Sequence, residues 1–109
     1  MKDALPPPKA PAYLPASLKE RFEALWCECA RMGSVCRLDA DLLAKYVLAE
    51  DGYLSATAKL QNAMNVGDVD AAAKWAAIQD KMVAQVLRLG AEFGLTPVSR
   101  RAHGLKGPR

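Results

Sequence analysis

Apolar residues recur along this chain at the three- and four-residue intervals of an amphipathic helix. The two-residue alternation of a half-buried strand is absent. Leu18, Phe22, Leu25, Trp26, Cys29 and Met32 form the first stripe. Ser17-Leu18-Lys19-Glu20 has the form of a capping box, so the first helix is expected to start at Ser17 and to end near Gly33. Leu42, Leu43, Tyr46, Val47, Tyr53, Leu60 and Met64 carry a second stripe, with Asp39 as its cap and Asp41 in its first turn. Gly52 interrupts this stripe at a cost of about 1 kcal/mol against alanine, and a bend or break is expected there. Asn65-Val66-Gly67-Asp68 reads as a turn. A third stripe starts from Asp68 or Asp70, runs through Ala72, Trp75, Ile78, Met82, Val83, Val86, Leu89 and Phe93, and ends at Gly94. Thr96 and Pro97 suit the cap and first position of a short last helix. The expected fold is all-α: a short N-terminal helix, a long antiparallel helical hairpin and a short C-terminal helix.

Five of the seven prolines fall in residues 1–15, which are expected to form a flexible leader. Residues 16–103 form the expected helical domain, and residues 104–109 a basic tail too rich in breakers to fold alone. The two long helices should each span roughly 35–40 Å at 1.5 Å per residue. With both ends set aside, about 80 residues remain for a core, which is marginal unless copies associate. Trp75, Met82 and Leu89 lie seven apart, the spacing of a coiled-coil seam. A homo-oligomer is therefore expected, with Tyr46, Tyr53, Trp75, Ile78 and Met82 as its candidate interface.

Charge divides the chain further. Fifteen bases and twelve acids leave +3. Residues 38–95 hold five bases and eight acids, a balance of −3, whereas Arg100, Arg101, Lys106 and Arg109 give the last fourteen residues +4. A basic tail on an acidic body can meet a polyanion or the acidic face of another protein. A helical adaptor and a small DNA-binding regulator both stay open, although a long hairpin is a poor frame for a helix-turn-helix.

The residues offer little chemistry. The single histidine, His103, has no partner for a triad or a metal site. Cys27, Cys29 and Cys36 lack a second ligand pair at zinc spacing, and no phosphate-binding loop motif is present. A protein without catalytic activity, metal or cofactor is expected. No apolar run is long enough for a membrane span, and no apolar signal segment follows the first residues. Three cysteines, an odd number, suit a reducing cytoplasm.

Residues 94–101 read Gly-Leu-Thr-Pro-Val-Ser-Arg-Arg. This resembles the C-terminal signature of a family of phage terminase small subunits, in which a long helix ends in Gly-Leu-Thr-Pro-x-Ser-Arg. Pro11-Ala12-Tyr13-Leu14, Trp26, Leu38-Asp39-Ala40-Asp41 and Tyr46 are similar to the family pattern in the same order. The link at Asn65–Asp68 is shorter than in many relatives. The resemblance implies an oligomeric ring in the bacterial host cytoplasm that recognises double-stranded viral DNA and recruits or regulates the large subunit, which carries the ATPase and nuclease. It supplies no DNA-reading motif. Arg100, Arg101, Lys106 and Arg109 are the expected phosphate contacts, with Lys19, Arg21 and Arg31 of the first helix as secondary candidates. Thr96, Pro97 and Ser99 are expected to shape the last turn.

Overall fold

A computed structural model describes residues 8–33 and 39–95. They form three helices, α1 (Lys19–Met32), α2 (Ala40–Val66) and α3 (Val69–Glu92), with no strand among the described residues. α2 and α3 pack as an antiparallel hairpin, and α1 packs against α2. Thr96, Pro97 and the expected last helix lie outside the described residues.

The start of α1 differs from the capping-box expectation. Ala16–Leu18 form a 3-10 turn in which the Leu18 amide donates to the Pro15 carbonyl at 2.9 Å, and no side chain caps α1. Proline fixes the backbone entering the turn, and the carbonyl does the work expected of Ser17. Of the expected leader, residues 1–7 lie outside the described residues, and the end of the segment packs on the helices. Leu14 is buried in the core, and the Tyr13 hydroxyl donates to the backbone carbonyl and carboxylate of Asp41 on α2. The apolar Leu14 anchors the chain just before α1.

The hairpin turn follows the sequence expectation. Gly67 takes φ +75, the left-handed region that glycine enters without a Cβ penalty. The Asp68 amide then reaches the Ala63 carbonyl at 2.9 Å, closing α2, and the Asp68 carboxylate accepts from the Ala71 amide at 3.1 Å, opening α3.

Gly52 neither bends nor breaks α2, which is continuous for 27 residues. A Cβ built on Gly52 would lie 2.8 Å from Met82 Sδ. The glycine thus admits a side chain of α3, which outweighs its poor helix propensity. Ala49, Ala56 and Ala63 lie seven apart and are buried, so small side chains line the same seam. Gln79 Nε2 donates to Thr57 Oγ1 at 2.8 Å across it, and that bond fixes the register.

The core occupies one half of the hairpin. Phe22, Trp26 and Cys29 of α1 meet Leu43 and Val47 of α2, with Leu14 and Phe93 closing the cluster. Among the described residues, beyond the reach of α1 the hairpin continues as two helices alone. Between residues 50 and 89 only Ala56 and Ala63 are buried. The described body measures 55 × 31 × 21 Å.

Candidate oligomerisation and polyanion surfaces

The five residues expected at a subunit interface do not form one patch. Tyr46 is buried within a single copy, where it packs against Gly90, and burial pushes its phenol pKa up. It belongs to the core cluster of the single copy. Met82 fills the space over Gly52. Trp75 lies beneath the Lys59 ammonium, 4.7 Å from its ring centroid. Ile78 is half-buried on α3. Tyr53 is half-buried and lines a groove with Arg21, Glu50, Leu54, Val83 and Val86, about 490 Å³ in volume.

That groove marks where α1 stops. Arg21 stands near the start of α1, and past it the shelf on the hairpin is open among the described residues. Leu54 is 61% exposed there, and Leu87, one helical turn from Val83, is 59% exposed. Met64, Val66 and Val69 at the hairpin tip are 60%, 72% and 77% exposed. None of these is among the expected interface residues: Met64 and Leu87 sit on apolar stripes, and a stripe alone does not tell which of its positions a neighbouring helix covers. The unequal lengths of α1 and the hairpin were the available signal.

The basic candidates also separate. Arg21 makes two hydrogen bonds of 2.9 Å to the Glu50 carboxylate, which hold its pKa above the usual arginine value. Arg31 pairs with Glu28 on its own helix. Both cations are therefore engaged within the chain, whereas Lys19 is exposed. Arg100, Arg101, Lys106 and Arg109, together with Ser99 and His103, lie outside the described residues.

A second groove of about 530 Å³ runs along the opposite flank of the hairpin. Leu42, Leu48, Met82 and Leu89 floor it, and Lys45 and Arg88 stand at its rim with Gln85. Lys45 bonds to Asp41 at 3.0 Å, and the Asp41 carboxylate, bonded also by Tyr13, is held below the usual aspartate range. Among the described residues no group of His, Cys, Asp and Glu could hold a metal ion, and no helix is long and apolar enough to cross a membrane.

No match was found among curated proteins or among solved structures. A family model described as phage terminase, small subunit, matches residues 19–108, which take in all three helices and most of the basic C-terminal segment. The chain belongs to the phage terminase small subunit family.

Proposed function

We propose that this chain is a non-catalytic, DNA-recognising small subunit of a phage or prophage packaging terminase, acting as an oligomeric ring in the host cytoplasm. The family match over residues 19–108 carries this reading. Small subunits of this kind bind double-stranded viral DNA and recruit or regulate the large subunit, which supplies the ATPase and nuclease.

Two features of the chain support the assembly. Among the described residues the outer half of the hairpin has no third helix, and it exposes Leu54 and Leu87 beside Tyr53 and Val83. Met64, Val66 and Val69 extend the apolar surface to the tip. Apolar area of this extent is costly in water and is relieved when copies pack side to side. In the ring, Tyr53 and Ile78 contribute from the hairpin, Trp75 and Met82 back it from beneath Lys59 and over Gly52, and Tyr46 supports it from inside each copy. The positive C-terminal segment, with Arg100, Arg101, Lys106 and Arg109, supplies phosphate contacts, and Thr96, Pro97 and Ser99 shape its start.

Gel-shift titration of the purified chain on duplex DNA at several salt concentrations tests the reading, together with co-precipitation of the large subunit. The reading expects a shift that weakens as salt rises, and recovery of the large subunit. Charge reversal of Arg100 and Arg101 should weaken the shift and leave assembly intact. Failure to bind either partner would overturn the proposed function.

A further inference from the structure

The acidic balance of residues 38–95 conceals a sorting of charge in space. Their five bases are Lys45, Lys59, Lys74, Lys81 and Arg88. On α3, Lys74, Lys81 and Arg88 lie seven apart, so they fall on one stripe of the helix. On α2, Lys45 and Lys59 lie fourteen apart, again on one stripe. Lys45 and Arg88 line the same groove, so the two stripes face the same side of the hairpin. The register that sets Gln79 against Thr57 and Lys59 over Trp75 places Lys59 and Lys74 across from each other in the same manner. All five bases are exposed.

Five of the eight acids are placed elsewhere or at the ends, Asp39 and Asp68 precede α2 and α3, and the exposed Asp51 stands on α2 between Lys45 and Lys59. Glu50 lines the opposite groove, and Asp80 lies three residues from Val83, which lines that groove too. Asp41 is bonded to Lys45 and Tyr13 at the start of α2. Asp70 and Glu92 stand one turn outside the two ends of the α3 row. Lys74, Lys81 and Arg88 make no ion pair among the described residues.

The row on α3 therefore has a positive charge about every 10.5 Å and spans about 21 Å. The second row lies roughly 8–10 Å away, the distance between packed helices. The spacing along α3 is close to the width of the B-DNA major groove, about 12 Å, so successive bases can meet phosphates on its two walls. Like charges so arranged repel one another mildly in the free protein, and a polyanion turns that repulsion into attraction. A straight and periodic charge array suits a periodic partner better than an acidic peptide of irregular charge.

Resting on the proposed DNA role, we infer that this face of the hairpin, Lys45 and Lys59 beside Lys74, Lys81 and Arg88, is a phosphate-binding surface for duplex DNA. It is additional to the C-terminal arginines and is built into the rigid part of each copy. The contacts hold the duplex without reading its sequence.

The test is fluorescence anisotropy with a short random-sequence duplex over a salt series, using the full chain. The triple variant Lys74→Gln, Lys81→Gln and Arg88→Gln keeps good helix formers at exposed sites, and its helicity is checked by circular dichroism. Single Lys81→Gln and the tail variant Arg100→Gln with Arg101→Gln are measured beside it. Loss of three phosphate contacts should reduce the slope of log affinity against log salt by about 2.7. Raising salt fourfold should then cost the wild type about 40-fold more affinity than the triple variant. Lys81→Gln should remove about one third of that slope change. A wild type that binds the duplex, with the triple variant keeping the full slope, would overturn this surface and leave the DNA role standing. A wild type that does not bind the duplex even at low salt would overturn both. Binding of poly-glutamate in place of the duplex would assign the face to an acidic protein and overturn the inference.

Discussion

Gly52→Ala sets two effects of comparable size against each other. Alanine in the middle of α2 gains about 1 kcal/mol in helix propensity. Against this, its Cβ would stand 2.8 Å from Met82 Sδ and 3.5 Å from Met82 Cγ, so something must shift. Both atoms belong to a flexible side chain, and no backbone atom of α3 lies within 4 Å of that Cβ. Met82 is half-buried and borders an open groove of about 530 Å³, so its thioether can turn outward. An off-rotamer methionine costs about 0.5–1.5 kcal/mol, and the two effects nearly cancel. Gly52→Ala should therefore leave stability within about 0.5 kcal/mol of wild type. Gly52→Val pushes further branches toward α3 and should lose about 2 kcal/mol by overpacking. Removing the obstruction with Met82→Ala should let the alanine show its helix gain, a coupling of about 1 kcal/mol in a double-mutant cycle. Urea unfolding followed by far-ultraviolet circular dichroism at one fixed concentration reads all four variants. A loss above about 2 kcal/mol for Gly52→Ala that Met82→Ala does not relieve would refute the reasoning, because the α3 backbone would then set the approach.

Other consequences are open to simpler measurements. Leu54→Asp should leave the unfolding of an isolated copy within about 0.5 kcal/mol, since Leu54 is 61% exposed. In the assembly it forfeits about 1–2 kcal/mol of burial and adds the cost of a desolvated charge, so self-association by sedimentation should weaken at least tenfold. Arg21→Met breaks the tie between α1 and α2. The Arg21 side chain is 49% exposed and screened, so thermal unfolding should report a loss of about 1 kcal/mol that shrinks in high salt. The Tyr13 phenol is pushed up from 10.0 to about 12 by burial and by its bond to Asp41. The neutral form is favoured by folding, so its contribution is complete below pH 10 and is lost as pH rises toward 12. Tyr13→Phe should be less stable by about 1 kcal/mol near neutrality, and the gap should close over that alkaline window in thermal melts.

Much of this architecture can be read from local chemistry. The turn at Gly67-Asp68 and the closure of α1 at Gly33 follow from glycine and a capping carboxylate, whose effects act within a few residues. What escaped the sequence reading depends on partners distant along the chain. Gly52 resembles a helix breaker until Met82 is placed over it. Tyr46 resembles a surface aromatic until Gly90 closes on it. Ser17 loses its capping role to the Pro15 carbonyl, a competition between neighbours that the capping pattern does not weigh. The basic face escaped for another reason. Summing charge along residues 38–95 averages over the helical period, and it merges the bases of one flank with acids at the helix ends and with Glu50 on the other flank.

In the proposed ring, copies of this chain cover one another's outer hairpins. The mass of the wild-type protein in solution, by light scattering across a concentration series, addresses that directly. The expected value is a stable multiple of 11.8 kDa that persists on dilution. A folded particle of 11.8 kDa at every concentration would contradict it.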